Sequence, residues 1–140
     1  SDLAAEAARE AIAQAGLRPD QIDLIIVGTT TPDTIFPSTA CLVQHKIGAT
    51  RAWGFDLGAA CSGFTYSLAT AAQFIASGVH AHALVVARIV EVDPHAQERL
   101  VRALLQPRSR LDLVFVPAFD EAENSRALIC GKPMLISPRQ

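Results

Sequence analysis

AWGFDLGAACSGFTYSL, residues 52–68, passes from an apolar run into a string of small residues and then into helix formers. RAWGFDL (51–57) reads as a strand. AACSGFTYSLATAAQFIASG (59–78) reads as a helix, small at its start and stopped by Gly78. Cys61 therefore falls where a strand ends and a helix begins.

Working outward, IDLIIVG (22–28) has the continuous apolar character of a strand buried on both faces, and HALVVAR (82–88) is a third strand. Ahead of them, SDLAAEAAREAIAQAG (1–16) puts Leu3, Ala7, Ala8, Ala11, Ile12 and Ala15 on one helical face. Ser1 is the expected cap, Asp2 suits the positive end and Gly16 the stop. RPDQ (18–21) is a turn, and TTTPDTIFPS (29–38) is a polar loop with two prolines. Ser38 caps a short helix, TACLVQHKIG, ended by Gly48. The order helix, strand, loop, helix, strand, helix, strand implies an α/β fold, a mostly parallel sheet with helices packed against it.

Residues 1–88 form this unit. Residues 89–140 read as a separate segment: a helix over DPHAQERLVRALLQ (93–106), a strand in RLDLVFVPAF (110–119) and short apolar runs thereafter.

Composition narrows the function classes. A chain of 140 residues with 50% hydrophobic and 19% charged content has the balance of a globular domain rather than a disordered one. A net charge of −2 gives no electrostatic reason to bind nucleic acid or an anionic membrane. Runs such as LIIV and ALVVA are far below the ~20 residues of a membrane span. Three cysteines without framework spacing, and no leader pattern at Ser1, lead us to expect free thiols in a cytoplasmic protein. No Cys/His pattern for zinc is present, so no metal is expected.

A thiol at a helix N-terminus lies near unpaired amides and the positive dipole end, which favour thiolate over thiol. In open α/β sheets this is also the ligand side. Ala59, Ala60, Ser62 and Gly63 leave room for an acyl group, and the local amides are candidates to stabilise an oxyanion. Against this stands a plain packing role, since free cysteines are usually buried. Cys41 reads as core, on the inner face of its helix. Cys130 has no base beside it. His80 and His82 precede a strand at the end of the sheet opposite Cys61 and read as surface residues. His45 complements a helix C-terminus, and His95 reads as a solvated first-turn residue.

Taken together, IDLIIVGTTTPD, FPSTACLVQHKIGA, AWGFDLGAACSGFTYSLATAAQFIASG and HALVVA resemble the N-terminal half of β-ketoacyl-acyl-carrier-protein synthase III, over about residues 1–87. The resemblance implies a thiolase-like half and an acyltransferase that starts fatty-acid synthesis by condensing acyl-CoA with malonyl-acyl carrier protein. It implies a homodimer, a coenzyme A thioester as substrate and no other cofactor. Cys61 matches the acyl-accepting cysteine. Phe36 matches the residue that closes the partner's acyl pocket across the dimer. FPSTA and the strand after it resemble dimer-forming elements. After ALVVA the sequence departs from the family, and nothing matches the family's catalytic His and Asn. Condensation by these residues alone is therefore not expected. The alternative is a non-catalytic thiolase-like module for dimerisation or interaction.

Overall fold

A computed structural model describes residues 1–87, together with the backbone strands at 111–116 and 135–136. Helix α1 spans Asp2–Gln14, β1 Leu24–Gly28, α2 Thr39–Ile47, β2 Trp53–Leu57, α3 Gly63–Ala76 and β3 His82–Ala87. β4 (Leu111–Val116) and β5 (Leu135–Ile136) extend the sheet, whose order is β2-β1-β3-β4-β5. All pairings are parallel except β4 with β5. The helix read over 93–106 lies outside the described residues, as do His95 and Cys130.

The apolar run of β1 works on both faces of the sheet. Ile25 and Val27 join Leu84 and Val86 beneath α1 and α2, in a cluster with Ala8, Ile12, Ala40 and Val43. Leu24 and Ile26 point the other way, with Ala83 and Val85, against Phe64, Leu68, Ala71 and Ile75 of α3. Two helices on one face and one on the other leave β1 no wet side, so each of its positions is apolar.

The helix ends are mostly as expected. Ser38 Oγ accepts from the Cys41 amide at 3.3 Å, and Gly48 closes α2 at φ +75°. Gly16 and Gly78 likewise take positive φ after α1 and α3. Ser1 differs from expectation. Its side chain makes no capping bond; its hydroxyl accepts from Lys46 Nζ at 2.6 Å and donates to Asp33. Lys46 also reaches Asp2 at 2.6 Å, so this polar cluster ties α1 to α2.

Cys41 also departs from its expected place. α2 buries Thr39, Ala40, Val43 and Ile47, which turns Cys41 outward, exposed, with Sγ 3.2 Å from Ser38 Oγ. Packing of α2 against α1 and β2 chose the other face of a short helix whose two sides differ little in polarity.

At the amino-terminal end of the sheet, Asp23 Oδ2 accepts from the Ala81 and His82 amides at 2.9 and 3.1 Å. Partial burial works against ionisation of Asp23. The two amides, with Arg51 and His82, outweigh it and hold the carboxyl below its ordinary value. A carboxyl depressed in the folded state contributes stability above its unfolded pKa, about 3.9 for Asp, and loses it as pH falls through the folded value. Acid denaturation should therefore steepen below about pH 4. In Asp23→Asn that component of the pH dependence should shrink, and an unchanged acid curve would refute the assignment.

Candidate active site at the head of helix α3

Parallel pairing puts the carboxyl ends of β1, β2 and β3 together, with Gly28 in register with both Leu57 and Ala87. α3 begins on this edge. A Cβ on Gly28 would lie 3.1 Å from the carbonyl carbon and oxygen of Gly63, and 3.1 Å from Ala87 Cβ. Two glycines thus let the first turn of α3 rest on the end of the central strand.

Cys61 is not in the first turn of α3, where the sequence reading put it. It lies in a 3₁₀ turn, Ala60–Ser62, that joins β2 to α3. The turn is entered through Ala60 at φ +43°, the single non-glycine residue with positive φ among the described residues. An alanine held there costs about 1–2 kcal/mol, and such strain gathers at functional sites. The Ser62 amide donates to Ala59 O at 2.9 Å and the Gly63 amide to Ala60 O, so both serve the turn itself. That leaves neither of them for the oxyanion role suggested by sequence. The Cys61 side is exposed rather than packed.

Phe36 is on the same edge of the sheet, in the loop from β1 to α2. It is 89% exposed and its neighbour Ile35 98%. Thr34 Oγ1 donates to Pro37 O at 3.1 Å and closes the turn that carries them. Neither Phe36 nor Cys61 is covered by the described residues.

Sequence reasoning missed Asp56. It is the one charged residue of WGFDL, the β2 strand. Its two oxygens accept from the Thr39 amide at 2.7 Å and the Ala40 amide at 2.8 Å, pinning the start of α2 to β2. The available signal was a helix start at STA followed, in the next strand, by one isolated carboxylate.

The described histidines are elsewhere. His80 accepts from Trp53 Nε1 at 3.0 Å, among Trp53, Phe55 and Phe74 at the amino end of the sheet. His82 opens β3 at that end. His45 is in the last turn of α2, where Gln44 donates to Ala52 O at 2.7 Å, just before β2 starts. The expectation that His80 and His82 lie opposite Cys61 holds. Among the described residues no group of three or more His, Cys, Asp or Glu could hold a metal ion, and no helix is long and apolar enough to cross a membrane.

The family model for 3-oxoacyl-[acyl-carrier-protein] synthase III matches residues 55–92, the stretch that contains Cys61 and α3. A β-ketoacyl-acyl-carrier-protein synthase III from Koribacter versatilis is 55% identical over 86 residues, 61% of this chain and 26% of that protein. The corresponding protein of Solibacter usitatus is 59% identical over the same length. The N-terminal three-fifths of this chain is related to β-ketoacyl-acyl-carrier-protein synthase III. The crystal structure of 3-oxoacyl-[acyl-carrier-protein] synthase III from Aquifex aeolicus superposes with a TM-score of 0.59 at 50% identity. It covers 60% of this chain and 27% of that one. The fold is therefore thiolase-like, as the synthase III resemblance implied. The chain spans about a quarter of the length of the synthase III relatives it matches.

Proposed function

We propose that this chain carries the acyl-accepting part of a β-ketoacyl-acyl-carrier-protein synthase III, with Cys61 as nucleophile. The observation that carries the reading is an exposed cysteine in a strained turn at the carboxyl edge of a parallel sheet, inside the stretch matched by the synthase family model. Cys61 Sγ attacks the thioester carbonyl of an acyl-CoA. A new carbon–sulfur bond forms, the bond to coenzyme A breaks, and the thiol proton ends on the departing sulfur.

The next step of the family reaction joins that acyl group to malonyl-acyl carrier protein with loss of carbon dioxide. It needs polar groups to stabilise an enolate. The described histidines are at the far end of the sheet from Cys61, and the described residues contain no asparagine. With acetyl-CoA and malonyl-acyl carrier protein, a protein of these 140 residues should form acyl-enzyme but no ketoacyl product. Turnover above background would mean that this division of labour is wrong.

A homodimer is part of the same proposal. β2 is an edge strand of the sheet, and WGFDL has no Lys or Pro to blunt it. Trp53 is 46% exposed on that strand, and Ile35 and Phe36 project from the adjoining loop. A second copy seated there would cover them and bring Phe36 towards the partner's site. Of the apolar residues of α3, Phe64, Leu68, Ala71, Ala72 and Ile75 are buried and Phe74 packs partly against the core, so they make no open patch. The face of α3 that is left carries Tyr66, Thr70 and Gln73, without a charge in the whole helix. Light scattering should give a dimer across concentrations, and a monomer throughout would remove this part.

A further inference from the structure

We infer that Asp56 is a positioning residue: it fixes the turn that presents Phe36 and so sets the acyl-chain selectivity of the site. This rests on the reading of Phe36 as part of the partner's acyl pocket.

The first turn of any helix leaves backbone amides without partners. In α2, three of them are satisfied by two side chains. Ser38 Oγ takes the Cys41 amide, and the Asp56 carboxylate takes Thr39 and Ala40 at 2.7 and 2.8 Å. Ser38 belongs to the loop itself, so it cannot fix where the loop points. Asp56 belongs to β2, five positions before Cys61 on the same stretch of backbone. A two-pronged, charge-assisted contact to adjacent amides is both strong and directional. Gly54, two residues earlier, reinforces it: a Cβ there would sit 3.1 Å from Ala40 Cβ, so α2 rests directly on the strand. Phe36 is separated from this anchor only by Pro37 and Ser38. The carboxylate thus couples the reach of Phe36 to the strand that delivers the nucleophile, and losing it would let Phe36 shift without disturbing Cys61.

The test uses the full chain. Asp56→Asn keeps the side chain's shape but breaks one of the two bonds; Asp56→Glu keeps the charge and displaces it, and serves if the first variant does not fold. By NMR, amide exchange at Thr39 and Ala40 should accelerate about tenfold or more. The Ile26 and Val85 amides in the core should exchange as before. Labelling rates of Cys61 by acetyl-CoA and octanoyl-CoA are then compared. Their ratio should shift about threefold or more, in the direction that Phe36→Ala shifts it, with no further change in the double variant. Unchanged exchange at Thr39 and Ala40 overturns the proposal. So does faster exchange that slows both labelling reactions equally while Phe36→Ala alters their ratio, for that is a merely structural role. A parent protein that is not labelled at all sinks the acyl-transfer reading and the selectivity claim with it. The exchange data then separately decide whether Asp56 holds the turn.

Discussion

Gly54→Ala is expected to destabilise the fold severely. A Cβ at this position would lie 2.3 Å from the carbonyl oxygen of Ile25 on the neighbouring strand, and 3.1 Å from both Ile25 Cβ and Ala40 Cβ. The first of these is backbone in a paired ladder, so relief requires β2 to move away from β1 and α2 to move away from both. Overpacking a well-filled core costs about 1–3 kcal/mol, and more where backbone must shift. For a domain of ordinary stability, about 5–15 kcal/mol, that is a large share. Gly58→Ala is the control. There a Cβ meets only Thr29 O, at 3.8 Å, an ordinary contact, and stability should change by about 0.5 kcal/mol or less. Urea unfolding of the two variants decides the matter. Equal midpoints would show that β2 and α2 are not packed as described.

Cys61→Ser is expected to abolish acylation while leaving the fold intact. The side chain is exposed in its turn, so exchanging sulfur for oxygen disturbs no packing. A serine hydroxyl is a weak nucleophile without an adjacent base, and no described histidine is at this end of the sheet. The acyl-CoA reaction should therefore fall to background with an unchanged unfolding midpoint. This variant also separates the nucleophile reading from a module that only dimerises, in which nothing would change. Retained labelling would assign the reaction to another thiol.

The alternation of elements was plain in the sequence because hydrophobic burial dictates it. LIIVG has no polar position because helices cover both faces of β1, and Gly16, Gly48 and Gly78 mark helix ends because each adopts positive φ. The strand in LDLVFV was legible from its apolar run, although its pairing beside β3 was not. Long-range order of this kind depends on which faces meet, and short apolar runs are interchangeable in that respect. The face of α2 was misjudged because Ala40 and Cys41 are both small; tertiary packing decided between them. At the site, the position of Cys61 near the head of α3 was legible, but the strained turn was not. AACSG is compatible with a regular helix start, and it is the close contact of Gly28 with Gly63 that fixes where α3 begins. Asp56 stayed hidden because its partners are backbone amides 16 and 17 residues away, which leave no side-chain signature.

Three thiols compete in this chain, and both of those among the described residues, Cys41 and Cys61, are exposed. Reaction of the full chain with acetyl-CoA, followed by intact-mass analysis and peptide mapping, therefore tests the central claim directly. The account predicts a single acetyl group, carried on Cys61 in the peptide containing GAACSGF, with Cys41 and Cys130 unmodified. A folded protein that acquires no acetyl group, or acquires it on Cys41 or Cys130 as readily as on Cys61, would contradict it.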